Sequence, residues 1–333
     1  MTSVSKTEID KFIPIVLCAG FGTRLKPLTN YIPKVVCPII NKPAAFINIE
    51  IFFKFGFPKV YCNTHYLDHI TKQEIILAAK FYGYDPARIE FFYEEEILET
   101  GGGIARIFHE LSKNNKKNSK RNVIVVSGDI IANFPIQQMI KAWQNKNCED
   151  YALMCTKKIN FPRKDTTWIS KDSNYIQGFG ENFLLKNASN ATVFTNHQII
   201  GYELLNQVPI EKKSSIEIYY KNAITQDKKV INLNYPKNKY WFDIGTPKSY
   251  KECLNFFENK LKPKKQNYFQ NNLINFCFQS PNFFKDKLNL YETKELSPNN
   301  ILISFRDIDS NLSSKKIFNF DSNQTEYNFS FLL

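Results

Sequence analysis

The chain has 333 residues, 43% of them hydrophobic, enough to bury a substantial core as one large domain or as a domain with an appendage. Its formal net charge of +12 leaves nucleic acid, anionic lipid and phosphorylated small molecules open as partners. There is no run of about 20 apolar residues for a membrane span, and residues 1–11 mix charges of both signs, unlike a signal peptide. Seven cysteines without a CxxC pair argue against a disulfide framework or a zinc site, and for reduced thiols in a cytoplasmic protein.

In chain order, residues 12–19 (FIPIVLCA) form a short apolar run that stops at Gly20 and reads as a buried strand. Residues 43–55 carry apolar positions at helical spacing, and Gly56 closes them. A strand over 59–63, a helix over 67–82 and a strand over 88–93 follow. Residues 103–111 read as a helix, 112–122 as a polar loop, and the β-branched run at 122–126 (NVIVV) as a central parallel strand. Strands alternating with helices predict an α/β fold: a Rossmann-like, mixed, mostly parallel sheet flanked by helices.

The second half is less regular. Strands are expected over 150–157, 173–178, 192–202, 229–233 and 240–243, and helices within 209–225 and over 249–261. After Lys262-Pro263-Lys264-Lys265 the composition shifts. Residues 266–333 are rich in Asn, Phe, Ser and Lys, lack glycine and show no internal repeat. The domain reading is therefore 1–262 for a catalytic domain and 263–333 for a C-terminal extension of unknown role. Its phenylalanines argue against full disorder.

The chemistry concentrates in Gly20-Phe21-Gly22-Thr23-Arg24-Leu25-Lys26-Pro27-Leu28-Thr29, followed by Pro33-Lys34. Glycines after a strand let backbone N–H groups approach a phosphate. Thr23 adds a hydroxyl, Arg24 a fork that matches phosphate oxygens, and Lys34 a mobile cation. A GxG turn by itself is more often an ordinary strand-to-helix connection. A dinucleotide fingerprint is disfavoured, because Leu25 stands where a third glycine would be and Pro27 interrupts the helix.

The pattern G-x-G-T-R-L-x-P-L-T, then P-K, resembles the signature of the sugar nucleotidyltransferases, the sugar-nucleotide pyrophosphorylases. Three more segments resemble that family in the same order: Glu99-Thr100-Gly101-Gly102-Gly103-Ile104, Ser127-Gly128-Asp129 and Trp241-Phe242-Asp243-Ile244-Gly245-Thr246-Pro247. The resemblance covers residues 13–257. It implies transfer of a nucleotidyl group from a nucleoside triphosphate to a sugar 1-phosphate, with Mg²⁺ as cofactor and pyrophosphate as the second product. It implies Arg24, Lys34, Asp129 and Asp243 as catalytic residues, the two aspartates holding the metal. Leu17, Ala19, Gly20, Gly22, Thr23 and Arg24 would lie on the nucleotide, with Glu96, Thr100, Gly101 and Gly102 at the base, where the glycine run would present backbone N–H and C=O groups. Mg²⁺ suits that donor set, since it takes one or two carboxylates and leaves the remaining positions to phosphate and water.

The sugar side matches less well. Gly178, Glu181, Asn196 and Asn63 are the candidates, but Asn182 stands where relatives carry a lysine, and His65 is more often a structural histidine. The L-E-T-G-G-G-I form resembles N-acetylmuramate-1-phosphate uridylyltransferases, with mannose- or heptose-1-phosphate guanylyltransferases and phosphocholine-type cytidylyltransferases as alternatives. A regulatory subunit on the same fold is the non-enzyme alternative; the presence of all four charged residues argues against it. No nucleic-acid module is visible, so neither nucleic acid nor membrane is an expected partner, and a homodimer stays open.

Overall fold

The computed structural model describes residues 4–148, 150–181, 188–209 and 213–261, and four strands between 292 and 332. It divides into two compact units, Met1–Cys37 with Pro43–Gly245, and Pro38–Lys42 with Thr246–Leu333. The division by compactness falls between Gly245 and Thr246, whereas the composition shifts only after 262.

The first unit is built on a nine-stranded mixed sheet. In chain order the elements up to Ser127, of which β2 and the start of β3 belong to the second unit, are α1 (Lys6–Ile9), β1 (Phe12–Leu17), β2 (Pro38–Ile39), β3 (Lys42–Pro43), α2 (Ala44–Phe55), β4 (Val60–Thr64), α3 (Asp68–Phe81), β5 (Ile89–Tyr93), α4 (Glu99–Asn114) and β6 (Asn122–Ser127). Then come β7 (Ile130–Ala132), α5 (Ile136–Gln144), β8 (Asp150–Lys158), β9 (Thr166–Ser170), β10 (Ile176–Phe179), β11 (Ala188–Ile200), α6 (Tyr202–Leu205), α7 (Ile216–Thr225), β12 (Lys229–Asn234) and β13 (Trp241–Asp243). The parallel half runs β6-β1-β4-β5. The antiparallel half hangs on the long β11, which pairs with β6, β8 and β9.

Residues 12–16 of β1 are all buried, which is why that strand reads as continuous apolar sequence. The core on one face of the sheet joins Ile13 and Ile15 of β1, Val123 and Val125 of β6, and Ile104, Ile107, Phe108 and Leu111 of α4. The helix contributes through positions i, i+3, i+4 and i+7, the single stripe an amphipathic helix buries.

The chain passes from β1 through α2, β4, α3, β5 and α4 before β6 returns to the other side of β1. The strand order therefore reverses between β1 and β6. In open α/β sheets ligands bind beyond the carboxyl ends of the strands at such a reversal. Here those ends lead directly into Gly20 and Asp129.

Several elements differ from the sequence expectation. Residues 99–102 are not loop but the first turn of α4, and residues 116–120 of the expected polar loop form a 3-10 turn. α5, β7 and β9 were not anticipated: β7 and β9 are short, and α5 follows a proline without a capping side chain. Cysteines 18, 37, 62, 155 and 253 are buried and free, and Cys148 is exposed and free; Cys277 lies outside the described residues. Among the described residues no helix is long and apolar enough to cross a membrane.

The second unit contains α8 (Pro247–Leu261) and an antiparallel four-stranded sheet in the order β14 (Glu292–Ser297), β15 (Asn300–Arg306), β16 (Ser313–Asn319), β17 (Phe329–Leu332). Within it the Tyr250 hydroxyl donates to the Pro38 carbonyl oxygen at 2.7 Å.

Candidate active site

The glycine loop is shaped by backbone geometry first. Gly22 sits at φ +65°, and a Cβ there would lie 2.9 Å from Thr29 Cγ2 and 3.0 Å from Lys34 Cβ. Both the dihedral and the space require glycine. The Thr29 hydroxyl donates to the Gly22 carbonyl oxygen at 2.8 Å and ties the two ends of the motif. Gly20, Phe21, Thr23 and Arg24 remain exposed. At the neighbouring strand end the Gly128 N–H donates to the Leu17 carbonyl at 2.8 Å, which holds the β6 exit against the β1 exit.

Four charged side chains converge beside this loop. Lys34 pairs with Asp129, both only about one-seventh exposed (14% and 15%). Arg24 Nη2 lies 3.9 Å from Asp243 Oδ2, and its side chain is 66% exposed. β13 pairs antiparallel with β7, setting Asp243 opposite Ile130, next to Asp129 in the chain. The Ile244 N–H donates to the Asp129 carbonyl at 3.2 Å. Residues 114 apart in sequence are thus neighbours across one short ribbon. The Trp241 indole N–H, donating to the Thr195 carbonyl at 2.9 Å, fixes that ribbon to β11.

The electrostatics of the pair follow from this packing. Burial pushes the Asp243 carboxyl up, and the nearby Asp129 charge pushes it further; Lys34, the Gly245 N–H and Arg24 pull it down. The Gly245 N–H donates to Asp243 Oδ1 at 2.8 Å, and a Cβ at Gly245 would meet Arg24 Nη2 at 2.7 Å. Two carboxylates that repel each other, with a cation against each, are a donor set suited to a hard divalent cation. Among the described residues no group of three or more His, Cys, Asp or Glu forms a metal site. Mg²⁺ does not need one, because it is commonly held by one or two carboxylates plus substrate phosphate.

The base-side glycines are engaged within the protein. The N–H groups of Gly101 and Gly102 both donate to the Ser214 carbonyl, at 2.7 and 3.1 Å, and residues 101–103 are buried. Their lack of side chains serves close packing: a Cβ at Gly101 would lie 2.7 Å from the Ser214 oxygen. Thr100 Oγ1 accepts the Ile216 N–H at 3.0 Å and so caps α7. Glu96 is exposed, as is its neighbour Glu95.

The buried acid of that triplet is Glu94, which the sequence reading passed over. Its Oε1 accepts from Asn63 Nδ2 at 2.8 Å, and its Oε2 accepts the Leu98 N–H at 2.8 Å. Three consecutive glutamates gave no periodic cue to which one turns inward; the end of β5 at Tyr93 decides it.

On the sugar side, Asn63 is 4% exposed and spends its amide on Glu94 and on the Cys18 N–H, at 2.8 Å each. Its burial and these two bonds argue against the expected sugar contact. Gly178 is buried in β10 opposite Trp168 of β9, and Glu181 is exposed just beyond Gly180. Asn196 has φ +61° at the irregular step of β11 between Phe194 and Gln198, a bulge that turns the strand locally. Asn182 lies outside the described residues. His65 is half-buried: its Nδ1 meets the Glu94 carbonyl at 2.8 Å, and its ring packs edge-on against Phe21 at 5.1 Å.

Residues 13–260 match the family model described as nucleotidyl transferase. The Drosophila melanogaster mannose-1-phosphate guanylyltransferase catalytic subunit beta is 26% identical over 252 residues, covering 75% of this chain and 64% of that protein. Its Xenopus tropicalis counterpart is 26% identical over 239 residues, covering 71% and 62%. The chain thus spans under two-thirds of the length of these relatives.

Among solved structures, a Bacillus anthracis protein named for glucose-1-phosphate thymidylyl transfer, in complex with sucrose, superposes with a TM-score of 0.60 at 14% identity, covering 76% of this chain and 98% of the other. HddC from Yersinia pseudotuberculosis complexed with GMP-PN gives 0.54 at 20%, covering 73% and 98%. Those two likenesses establish the fold, and the family match over residues 13–260 places this chain in the nucleotidyl transferase family.

Proposed function

We propose that this chain catalyses magnesium-dependent nucleotidyl transfer, in which a nucleoside triphosphate and a sugar 1-phosphate give a nucleoside-diphosphate sugar and pyrophosphate. The observation that carries this reading is the convergence of Lys34 with Asp129, and of Arg24 with Asp243, beside the glycine loop at the strand reversal.

The sugar phosphate oxygen that attacks the α-phosphorus is already an anion, so the site needs no general base. Its task is to bring two polyanions together and to stabilise the charge that leaves on pyrophosphate. Arg24, exposed and at a long 3.9 Å from Asp243, has room to swing its guanidinium onto the triphosphate. Lys34, largely buried, exchanges its Asp129 contact for a phosphate oxygen. Asp129 and Asp243 would hold Mg²⁺, which when bound supplies charge neutralisation on the reacting phosphates. Glu181 and Asn196 are the remaining candidates for the sugar.

For the substrate pair, relatives named as mannose-1-phosphate guanylyltransferases favour GTP and mannose 1-phosphate. Uridylyl transfer to N-acetylmuramate 1-phosphate is the second reading and rests on Leu98-Glu99-Thr100-Gly101-Gly102-Gly103-Ile104. Pyrophosphate release is the test, with GTP, UTP, dTTP, CTP and ATP each set against mannose, glucose, heptose and N-acetylmuramate 1-phosphates. Release that requires Mg²⁺, one nucleotide and one sugar phosphate is expected. Silence from folded protein across the whole panel would overturn the reading.

A further inference from the structure

Three strand ends and one helix start meet at a buried polar chain that the transfer chemistry does not use. It begins at the Cys18 N–H, just past the end of β1 and two residues before the glycine loop, which donates to Asn63 Oδ1 at 2.8 Å. Asn63 in β4 passes the connection on through Nδ2 to Glu94 Oε1, and Glu94 Oε2 takes the Leu98 N–H at the mouth of α4, again at 2.8 Å each. The Glu94 backbone is held too, its N–H donating to the Thr64 carbonyl at 2.8 Å. Glu94 is fully buried, Asn63 is 4% exposed, and burial pushes the Glu94 carboxyl up.

The N-terminal part of α4 lies against this chain at Gly103. A Cβ at Gly103 would fall 2.6 Å from Glu94 Oε1 and 2.8 Å from Asn63 Nδ2. The glycine run that the sequence suggested for base contact thus gives the helix room to seat on the Asn63–Glu94 pair. A carboxylate enclosed in this way is costly unless every oxygen is used, and here each oxygen has a donor.

We infer that Asn63 and Glu94 are positioning residues that hold the glycine loop and the segment between β5 and α4, which carries the exposed base-side candidate Glu96, at a fixed separation, so that both ends of a nucleoside triphosphate are met at once. The inference rests on the proposed nucleotidyl transfer and adds to it a determinant of nucleotide affinity that touches neither phosphate nor metal.

The polarity of the chain supplies its test. Glu94→Gln must leave either the Asn63 amide or the Leu98 N–H facing another donor. Asn63→Asp sets one carboxylate against another. The double variant Asn63→Asp/Glu94→Gln restores every bond with the middle one reversed. The new carboxylate at position 63 accepts from the Cys18 N–H and from the new amide at position 94, whose oxygen accepts the Leu98 N–H. Net charge is unchanged.

Calorimetry should first measure binding of GTP, UTP, CTP, ATP and dTTP with Mg²⁺ to the wild-type chain, and the nucleotide bound most tightly becomes the probe. Each single variant should weaken its Kd at least tenfold and raise its KM by as much, while KM for the sugar phosphate changes less than threefold. A merely structural defect would instead lower the active fraction, and so kcat, with both KM values kept. The double variant should return Kd to within about threefold of wild type, which keeps the test open where a single variant does not fold.

A wild-type chain that binds a nucleotide, with single variants that bind it equally well, would overturn this inference alone. So would a folded double variant that stays tenfold weaker. A wild-type chain that binds no nucleotide would overturn both this inference and the functional reading beneath it.

Discussion

Arg24, Lys34, Asp129 and Asp243 act as one electrostatic unit, and single substitutions should show it. Asp129→Ala removes one of two repelling carboxylates and frees Lys34, so the fold should persist while turnover falls by about 10³-fold or more. Steady-state kinetics beside a thermal melt checks this, and near wild-type turnover would remove Asp129 from the site. Arg24→Ala should cost about 10²- to 10³-fold in turnover with little change in stability, because that side chain is two-thirds exposed (66%).

His197 belongs to the same scale but acts through stability. It is fully buried between Phe134 and Tyr235, its Nδ1 meets Thr195 Oγ1 at 3.1 Å, and burial pulls its pKa down to about 3. The unfolded chain takes up this proton near the ordinary histidine pKa of about 6.5, whereas the folded chain resists it until about 3. Stability from this group is therefore complete above about pH 6.5 and falls as pH drops toward 3, by up to about 1.4 kcal/mol per pH unit. Melting temperatures at pH 7.5 and 5.0 should differ less in His197→Phe than in wild type. Equal differences would show that the acid sensitivity lies elsewhere.

Between elements, the seating of α4 depends on glycines that leave room for its neighbours. Replacing a helical glycine by alanine usually stabilises, by about 1 kcal/mol. At Gly101 the sign should reverse, because the new Cβ would meet backbone, the Ser214 oxygen at 2.7 Å and the Ile216 nitrogen at 3.0 Å, and neither can rotate aside. A loss of about 1–3 kcal/mol is expected for Gly101→Ala in denaturant unfolding. A gain would mean that α7 and the segment before it yield easily. The β7–β13 ribbon shows the same logic: three residues a side suffice to bring Asp243 beside Asp129 because Trp241 ties the ribbon to β11.

Over the whole molecule, every charged residue of the proposed site lies in the unit that ends at Gly245. Deleting residues 263–333 should leave a soluble, cooperatively unfolding chain that still releases pyrophosphate. Insoluble or inactive protein would instead make the C-terminal segment part of the working structure.

Much of this was legible in the sequence. The parallel α/β half is written in runs such as FIPIVLCA and NVIVV, since strands covered on both faces must be apolar throughout. The grouping of Arg24, Lys34, Asp129 and Asp243 was legible through the resemblance of their segments to one family's motifs, and the structure brings the four side chains together. Tertiary structure decided the rest. It turned Glu94 rather than Glu96 inward, gave the Asn63 amide to Cys18 and Glu94 instead of a sugar, and spent the Gly101 and Gly102 N–H groups on Ser214. Those choices depend on which partner arrives from elsewhere in the chain, 31 residues away for Asn63 and Glu94 and 45 for Cys18 and Asn63. Local sequence specifies a residue's chemistry and the period of its element, but a buried hydrogen bond exists only once the sheet has brought its two halves together.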